Sequence, residues 1–169
     1  MSGVSPRWLL SHARGYVELG MFDAAARELA ALPEAVAEGE EALGLLAAVH
    51  QERRDWPTLA LVSEKLARLR PDSAGAWITW AYAVRRATSL AAAERILLSA
   101  REHHPRDPTI LFNLGCYACQ RGDLALARRL VEAAAAIDGS YHTLAATDED
   151  LEPLRRCPPP PADAGGSTS

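Results

Sequence analysis

One pattern of small and large apolar residues recurs along this chain at a fixed spacing of 34 residues. The aligned positions are Gly20, Arg54, Thr88 and Gly122. Seven positions before them, every copy has a small residue: Ala13, Ala47, Ala81 and Gly115. Two positions after them, every copy has a large apolar residue: Phe22, Trp56, Leu90 and Leu124. A period in this range is typical of a repeat array, in which each unit buries its apolar face by stacking on the next.

Each copy of the pattern predicts two helices that meet at the aligned position. In the third copy, the first half has apolar or small residues at helical spacing: Trp77, Trp80, Ala81 and Val84. The second half of that copy has its own stripe: Ala93, Ile96, Leu97 and Ala100. Side chains that favour helix N-caps precede several of these segments: Ser5, Asp55, Asp72-Ser73, Ser89, Asp107 and Asp123. The sequence therefore predicts an all-α protein.

The third and fourth copies resemble the tetratricopeptide repeat (TPR) pattern. In the third copy, Trp77-x2-Trp80-Ala81 is followed by Ala93, Leu97 and Pro105, and in the fourth copy Leu111-x2-Leu114-Gly115 is followed by Ala127 and Val131. The resemblance implies a right-handed α-solenoid of about four helix pairs. The acidic run before Leu151-Glu152-Pro153-Leu154 is also similar to a segment that follows the last repeat in small bacterial TPR proteins, and it implies a C-terminal cap.

These signals divide the chain into a repeat domain and a tail. The predicted repeat domain covers residues 1–156, and residues 157–169, rich in proline, glycine and serine, are expected to be disordered. Within the domain we expect four repeats and a cap, at approximately 6–39, 40–73, 74–107, 108–139 and 140–156. The first repeat departs from the others because Pro33 comes early, which predicts a short second helix and a looser link through Glu38-Gly39.

A ligand-binding face is predicted from the residues that helix packing leaves over. In the third repeat, Ile78, Tyr82 and Arg85 form a second stripe with helical spacing and no apparent partner. The resemblance implies that first helices line a concave face where ligands bind. The candidate groove residues are Leu10, Arg14, Val17, Ile78, Tyr82, Arg85, Phe112, Asn113 and Cys116. Apolar patches interrupted by arginine suit an amphipathic or extended peptide with an acidic group. We therefore expect that replacing Tyr82 and Phe112 with alanine weakens binding of a partner without unfolding the array.

Two alternatives concern the same face. In the first alternative, the C-terminal segment or a neighbouring molecule covers part of this stripe. Some TPR proteins hold acidic C-terminal tails through a clamp of lysine, asparagine and arginine. Asn113 occupies an asparagine position of that clamp, but the basic positions hold Leu10, Gly44 and Gly75, so this chain does not assemble it.

The pair Cys116-x2-Cys119 suggests a thiol redox or metal site as a less favoured alternative. Residues three apart share a helix face, but this pair falls within its helix rather than at the N-terminus, where the dipole would lower a thiol pKa. A structural zinc site would need two further ligands. We therefore interpret both cysteines as small apolar filler and expect neither a metal nor a cofactor.

Composition narrows the function further. A formal net charge of −4 disfavours nucleic acid and anionic membranes as partners, although Arg53-Arg54 and Arg85-Arg86 could form a local basic ridge. We expect no signal peptide and no membrane span, and we interpret the chain as a cytoplasmic bacterial protein. The predicted function is a non-catalytic adaptor that binds a protein or peptide. A secretion-type chaperone or assembly factor for a specific client is the main alternative, and self-association stays open.

Overall fold

The computed structural model describes residues 4–157, which form two compact units, residues 4–105 and 106–157. Both units consist of helices joined by short links. The single repeat domain predicted for residues 1–156 stays a prediction. The expected disorder of residues 157–169 concerns, apart from Cys157, residues outside the described span.

The first unit consists of three helix pairs and one additional short helix. Its helices are α1 (Pro6–Glu18), α2 (Phe22–Ala30), α3 (Glu34–Ala37), α4 (Glu40–Glu52), α5 (Trp56–Leu69), α6 (Ala74–Ala87) and α7 (Leu90–His103). Helix α1 packs on α2, α4 on α5, and α6 on α7. Alanines are fully or almost fully buried where paired helices approach, for example Ala13, Ala25, Ala81 and Ala93. The small residues of the period are therefore the ones that allow close helix packing.

The aligned positions of the 34-residue period lie in the turns between paired helices. Gly20 and Gly122 have positive φ angles of 71° and 84°, and Arg54 at the equivalent position has a φ of 55°. Glycine adopts this left-handed conformation freely, whereas a residue with a Cβ is strained there. Thr88 has a φ of −130°, so the turn of the third repeat has a different conformation.

We expect the substitution Arg54→Gly to raise the free energy of unfolding by about 0.5–1 kcal/mol, because it relieves the left-handed strain. The Arg54 side chain is exposed, so little packing is lost. Urea denaturation of the two proteins measures the difference. Thr88→Gly is the matched control, because that position has no positive φ and glycine there removes a side chain without relieving strain. A gain of equal size in both variants would contradict this explanation.

Five predicted N-caps are confirmed, whereas Ser73 stands at the N-cap of α6 without a side-chain hydrogen bond to the helix. The side chains of Ser5, Asp55, Ser89, Asp107 and Asp123 each accept a hydrogen bond from a backbone N–H in the first turn of the following helix. Two polar residues within helices of the first two repeats, His12 and Ser63, also have local partners. Ser63 is buried and donates to the carbonyl oxygen of Leu59 over 2.6 Å, and the His12 ring stacks on Trp8. The first two repeats thus form helix pairs with these polar residues within them.

The second unit consists of one long helix pair and a shorter C-terminal segment. The pair is α8 (Pro108–Gln120) and α9 (Leu124–Ile137). A Cβ at Gly115 would lie 2.8 Å from Cγ2 of Val131, so glycine is required at this helix crossing. The C-terminal segment consists of α10 (Ser140–Thr147), a short 3-10 helix (Glu149–Leu151) and α11 (Glu152–Arg156), and it packs on α8 and α9.

Candidate functional site

A continuous groove runs along the first helices of the three repeats in residues 4–105. Three adjoining depressions of about 560, 440 and 350 Å³ share residues with one another and form it. We call this surface the α1–α4–α6 groove. Its central residues are Leu10, Arg14, Gly44, Ala48, Gly75 and Thr79. The two predicted residues Leu10 and Arg14 therefore lie in it.

The floor of the groove consists of small residues. Gly44 and Ala48 come from α4, and Gly75 and Ala76 come from α6. A Cβ at Gly44 or Gly75 would meet no other atom within 4 Å, so the space above both glycines is open. Glycine within a helix costs about 0.5–1 kcal/mol relative to alanine. The two glycines therefore lower the stability of their helices, and the open space above them has room for the backbone of a bound segment.

Charged side chains along the groove are paired, one pair between the first two repeats and the others within the second. Nη2 of Arg14 on α1 lies 2.5 Å from Oε1 of Glu41 on α4. Arg70 binds Glu40, and its Nε lies 2.9 Å from Oδ1 of Asp72. The hydrogen bond from Arg70 holds the pKa of Asp72 below its usual value. Exposed ion pairs of this kind contribute little to stability, so a ligand carboxylate can replace Glu41 as the partner of Arg14.

Tyr82 lies on α6 in a cluster with Trp56 and Arg86. The Tyr82 and Trp56 rings meet edge to face with centroids 5.6 Å apart. The guanidinium carbon of Arg86 lies 4.5 Å from the Tyr82 ring centroid and 5.0 Å from that of Trp56. Tyr82 is 39% exposed, so part of the ring remains accessible while the rest is fixed by these contacts. A cation–π contact of this kind contributes about 0.5–1 kcal/mol at an exposed site.

The other predicted residues of the first unit are less accessible. Val17, Ile78 and Arg85 are half-buried. Val17 packs against the core cluster formed by α1, α2 and α4, and Arg85 is engaged in a contact of its own. These three side chains are therefore less accessible than Arg14 and Tyr82, and Val17 supports the core beside the groove.

Three predicted residues belong to the second unit, and two of them are buried. Phe112 and Cys116 are 4% and 3% exposed. The Phe112 ring lies against Tyr141 of α10, with centroids 5.2 Å apart. Asn113 is half-buried, and its Nδ2 donates to the carbonyl oxygen of Thr109 over 2.8 Å. Phe112 and Cys116 are thus not open to a ligand in this arrangement, and Phe112 is in contact with the C-terminal segment.

The cysteines do not form a disulfide, since Cys116, Cys119 and Cys157 are all free thiols. Cys116 and Cys119 are both buried. The nearest arrangement to a metal site among residues 4–157 joins Cys116 to carboxylates rather than to Cys119. The ligand atoms of Cys116, Asp148 and Asp150 lie within 4.8 Å of one another. Asp148 also caps the 3-10 helix by accepting from the backbone N–H of Asp150 over 2.9 Å. Asp148 thus has a structural role as a cap, and the three residues are one ligand fewer than the four of a structural zinc site.

Similar solved structures have the same fold. A crystal structure of MamA protein aligns with a TM-score of 0.74 at 17% identity, over 86% of this chain and 78% of that chain. A structure of residues 41 to the end of MamA from Desulfovibrio magneticus RS-1 gives 0.71 at 16% identity, over 92% of both chains. YrrB, described as a TPR protein with an unusual peptide-binding site, gives 0.72 at 14% identity, over 85% of this chain and 75% of that chain. The chain has the tetratricopeptide repeat fold.

The predicted all-α TPR solenoid is thus confirmed. No protein-family model matches the sequence, and a search of curated proteins gives no significant match. No helix among residues 4–157 has the length and apolar character needed to cross a membrane.

Several residues of the α1–α4–α6 groove were not predicted from the sequence. Glu40 and Glu41 lie at its edge, and Thr79 lies at its α6 side. The first two are acidic residues at the start of a helix, where they also favour the helix dipole, so they carry no separate binding signal. The spacing of Thr79 four residues after Gly75 is a signal that could have identified it, because residues four apart share one face of a helix.

Proposed function

We propose that this chain is a non-catalytic adaptor in the bacterial cytoplasm that binds a segment of a partner protein in the α1–α4–α6 groove. The observation that carries the proposal is the open floor at Gly44 and Gly75, where two helices expose glycine on the same face. Helix stability alone would favour alanine at both positions. The description of YrrB as a TPR protein with a peptide-binding site supports a peptide as the ligand of this fold.

The groove suits an extended segment with small or apolar side chains and an acidic group. Apolar side chains lie over the floor at Ala48 and against Leu10. The acidic group of the segment replaces Glu41 as the partner of Arg14. Breaking the Arg14–Glu41 ion pair costs little free energy, because both side chains are exposed. Charge-assisted bonds to arginine give geometric selectivity for a carboxylate.

Site-specific photo-crosslinking in cells of the source organism tests the proposal. A photoreactive amino acid is placed at Ala48 or at Thr79, and the matched control position is Ala91, which is exposed on α7. We expect one partner to be captured from both groove positions and not from Ala91. Capture of the same protein at all three positions, or of none from the groove, would contradict the proposal.

A further inference from the structure

A second concave surface lies between α3 and α5, away from the residues that line the groove. Helix α2 spans nine residues, whereas the other second helices, α5, α7 and α9, span 14 each. After α2 the chain turns at Pro33 into the four-residue helix α3. A Cβ at Gly39 would lie 3.1 Å from the carbonyl oxygen of Val36, so the chain turns tightly from α3 into α4. The shortened helix leaves a cleft beside α5 that we call the α3–α5 cleft.

The α3–α5 cleft has an apolar interior of ligand size. Its volume is about 590 Å³, within the range of roughly 300–1,000 Å³ that is usual for binding sites. Leu43, Leu46 and Val62 line its interior, and Leu46 packs against two separate core clusters. Leu61 on the wall is 64% exposed. Leu61 is contiguous with the apolar interior of the cleft, and a contiguous exposed apolar patch, unlike a single exposed leucine, is typical of an interaction site.

The rim of the cleft carries a small excess of negative charge. Lys65 Nζ lies 2.7 Å from Oε1 of Glu38, and Arg68 Nη2 lies 2.6 Å from Oε1 of Glu64. Glu34 is the third acidic residue of the rim, which leaves three carboxylates against two cations. The hydrogen bond from Lys65 to Glu38, together with the charge of Glu38, raises the pKa of Lys65. The charge of Glu34 adds a smaller effect in the same direction. A partner segment with a cationic side chain next to an apolar one therefore complements the rim and the interior of the cleft.

The walls of the cleft also indicate whether a bound segment is helical or extended. Helices α3, α4 and α5 provide its lining, and their backbone groups bond mainly within the helices. They offer no strand edge to which an extended peptide could add hydrogen bonds. A segment that enters this apolar cleft must then satisfy its own backbone groups, as a helix does. The α1–α4–α6 groove differs because the polar side chains of Ser11, Gln51 and Ser73 line it and can bond to the backbone of an extended segment.

We propose that the α3–α5 cleft is a second docking site, for an amphipathic helix of a partner protein with apolar residues one turn apart and an arginine or lysine beside them. The apolar residues fill the cleft against Leu43, Leu46 and Leu61, and the cation binds Glu34. This surface is separate from the α1–α4–α6 groove, so both segments bind the same molecule at once.

Fluorescence anisotropy with a designed peptide tests this site on the full chain. The probe is a capped, fluorescein-labelled alanine-based helix with two leucines one turn apart and an arginine beside each, and its control has glutamates in place of the arginines. We expect the arginine peptide to bind at least about tenfold more tightly than the glutamate peptide. The preference should shrink as salt is added, because exposed charges are screened.

Two variants locate the binding in the cleft. Leu61→Asp should weaken the arginine peptide by about tenfold, and Glu34→Lys should remove the preference for arginine over glutamate. Both residues are exposed, so neither change should lower the thermal unfolding midpoint by more than about 4 °C, although Glu34→Lys loses a favourable charge at the start of α3. Leu98→Asp is the matched control, because Leu98 is exposed on another second helix, α7. Absence of binding, equal loss in Leu61→Asp and Leu98→Asp, or an unchanged charge preference in Glu34→Lys would each overturn the proposal.

Discussion

Replacing Phe112 with alanine is expected to lower the free energy of unfolding by about 3–5 kcal/mol, which is the usual cost of deleting a buried aromatic ring. Phe112 is 4% exposed, and its ring contacts that of Tyr141. The hydroxyl of Tyr141 lies 2.7 Å from Oγ1 of Thr109, which fixes the tyrosine over α8. Loss of the Phe112 ring leaves a cavity and removes a contact that holds α10.

Urea denaturation followed by circular dichroism measures this loss. Tyr82→Ala is the matched control, because it removes an aromatic ring that is 39% exposed and held by Arg86 and Trp56. We expect that variant to lose only about 1–2 kcal/mol. A Phe112→Ala protein as stable as the Tyr82→Ala protein would show that the buried contact with Tyr141 is not formed in solution.

This contrast marks how far the sequence predicts the candidate site. Phe112 and Tyr82 lie on the first helices of adjacent repeats, and both look free when only the repeat pattern is considered. Their environments differ because Tyr141, 29 residues after Phe112, packs on it in the second unit. A repeat pattern predicts how helices pack within one repeat and between neighbouring repeats. It does not report where a non-repeating segment lies.

The same limit applies to the groove and to the cleft. The positions of helices and caps are set by local features, such as Asp107 before Pro108 and the glycine turn at Gly122, and the sequence therefore predicts them well. The pairing of Arg14 with Glu41 joins residues 27 apart on two helices and depends on how those helices pack. Pro33 predicts the short second helix, but the additional helix α3 depends on packing against α4 and was missed.

Replacing Gly44 with tryptophan is expected to weaken binding of the groove's partner by about a hundredfold, or about 2.7 kcal/mol, without loss of stability. Gly44 lies at the floor of the groove on α4, and the open space above it would be filled by the indole ring. The fold should tolerate the change, because a Cβ there meets no atom within 4 Å. Tryptophan also has a higher helix propensity than glycine, so the unfolding midpoint should stay the same or rise.

The measurement is the affinity of each variant for the partner segment captured from Ala48, together with its thermal unfolding. Gly15→Trp is the matched control, since Gly15 lies within α1, does not line the groove, and would also have no atom within 4 Å of an added Cβ. Gly15→Trp should bind the partner as the original chain does. Because the α3–α5 cleft lies apart from Gly44, the Gly44→Trp variant should still bind the arginine-bearing helix. If Gly44→Trp keeps its affinity for the captured segment, that segment does not bind over the groove floor, and the glycines at this position need another explanation.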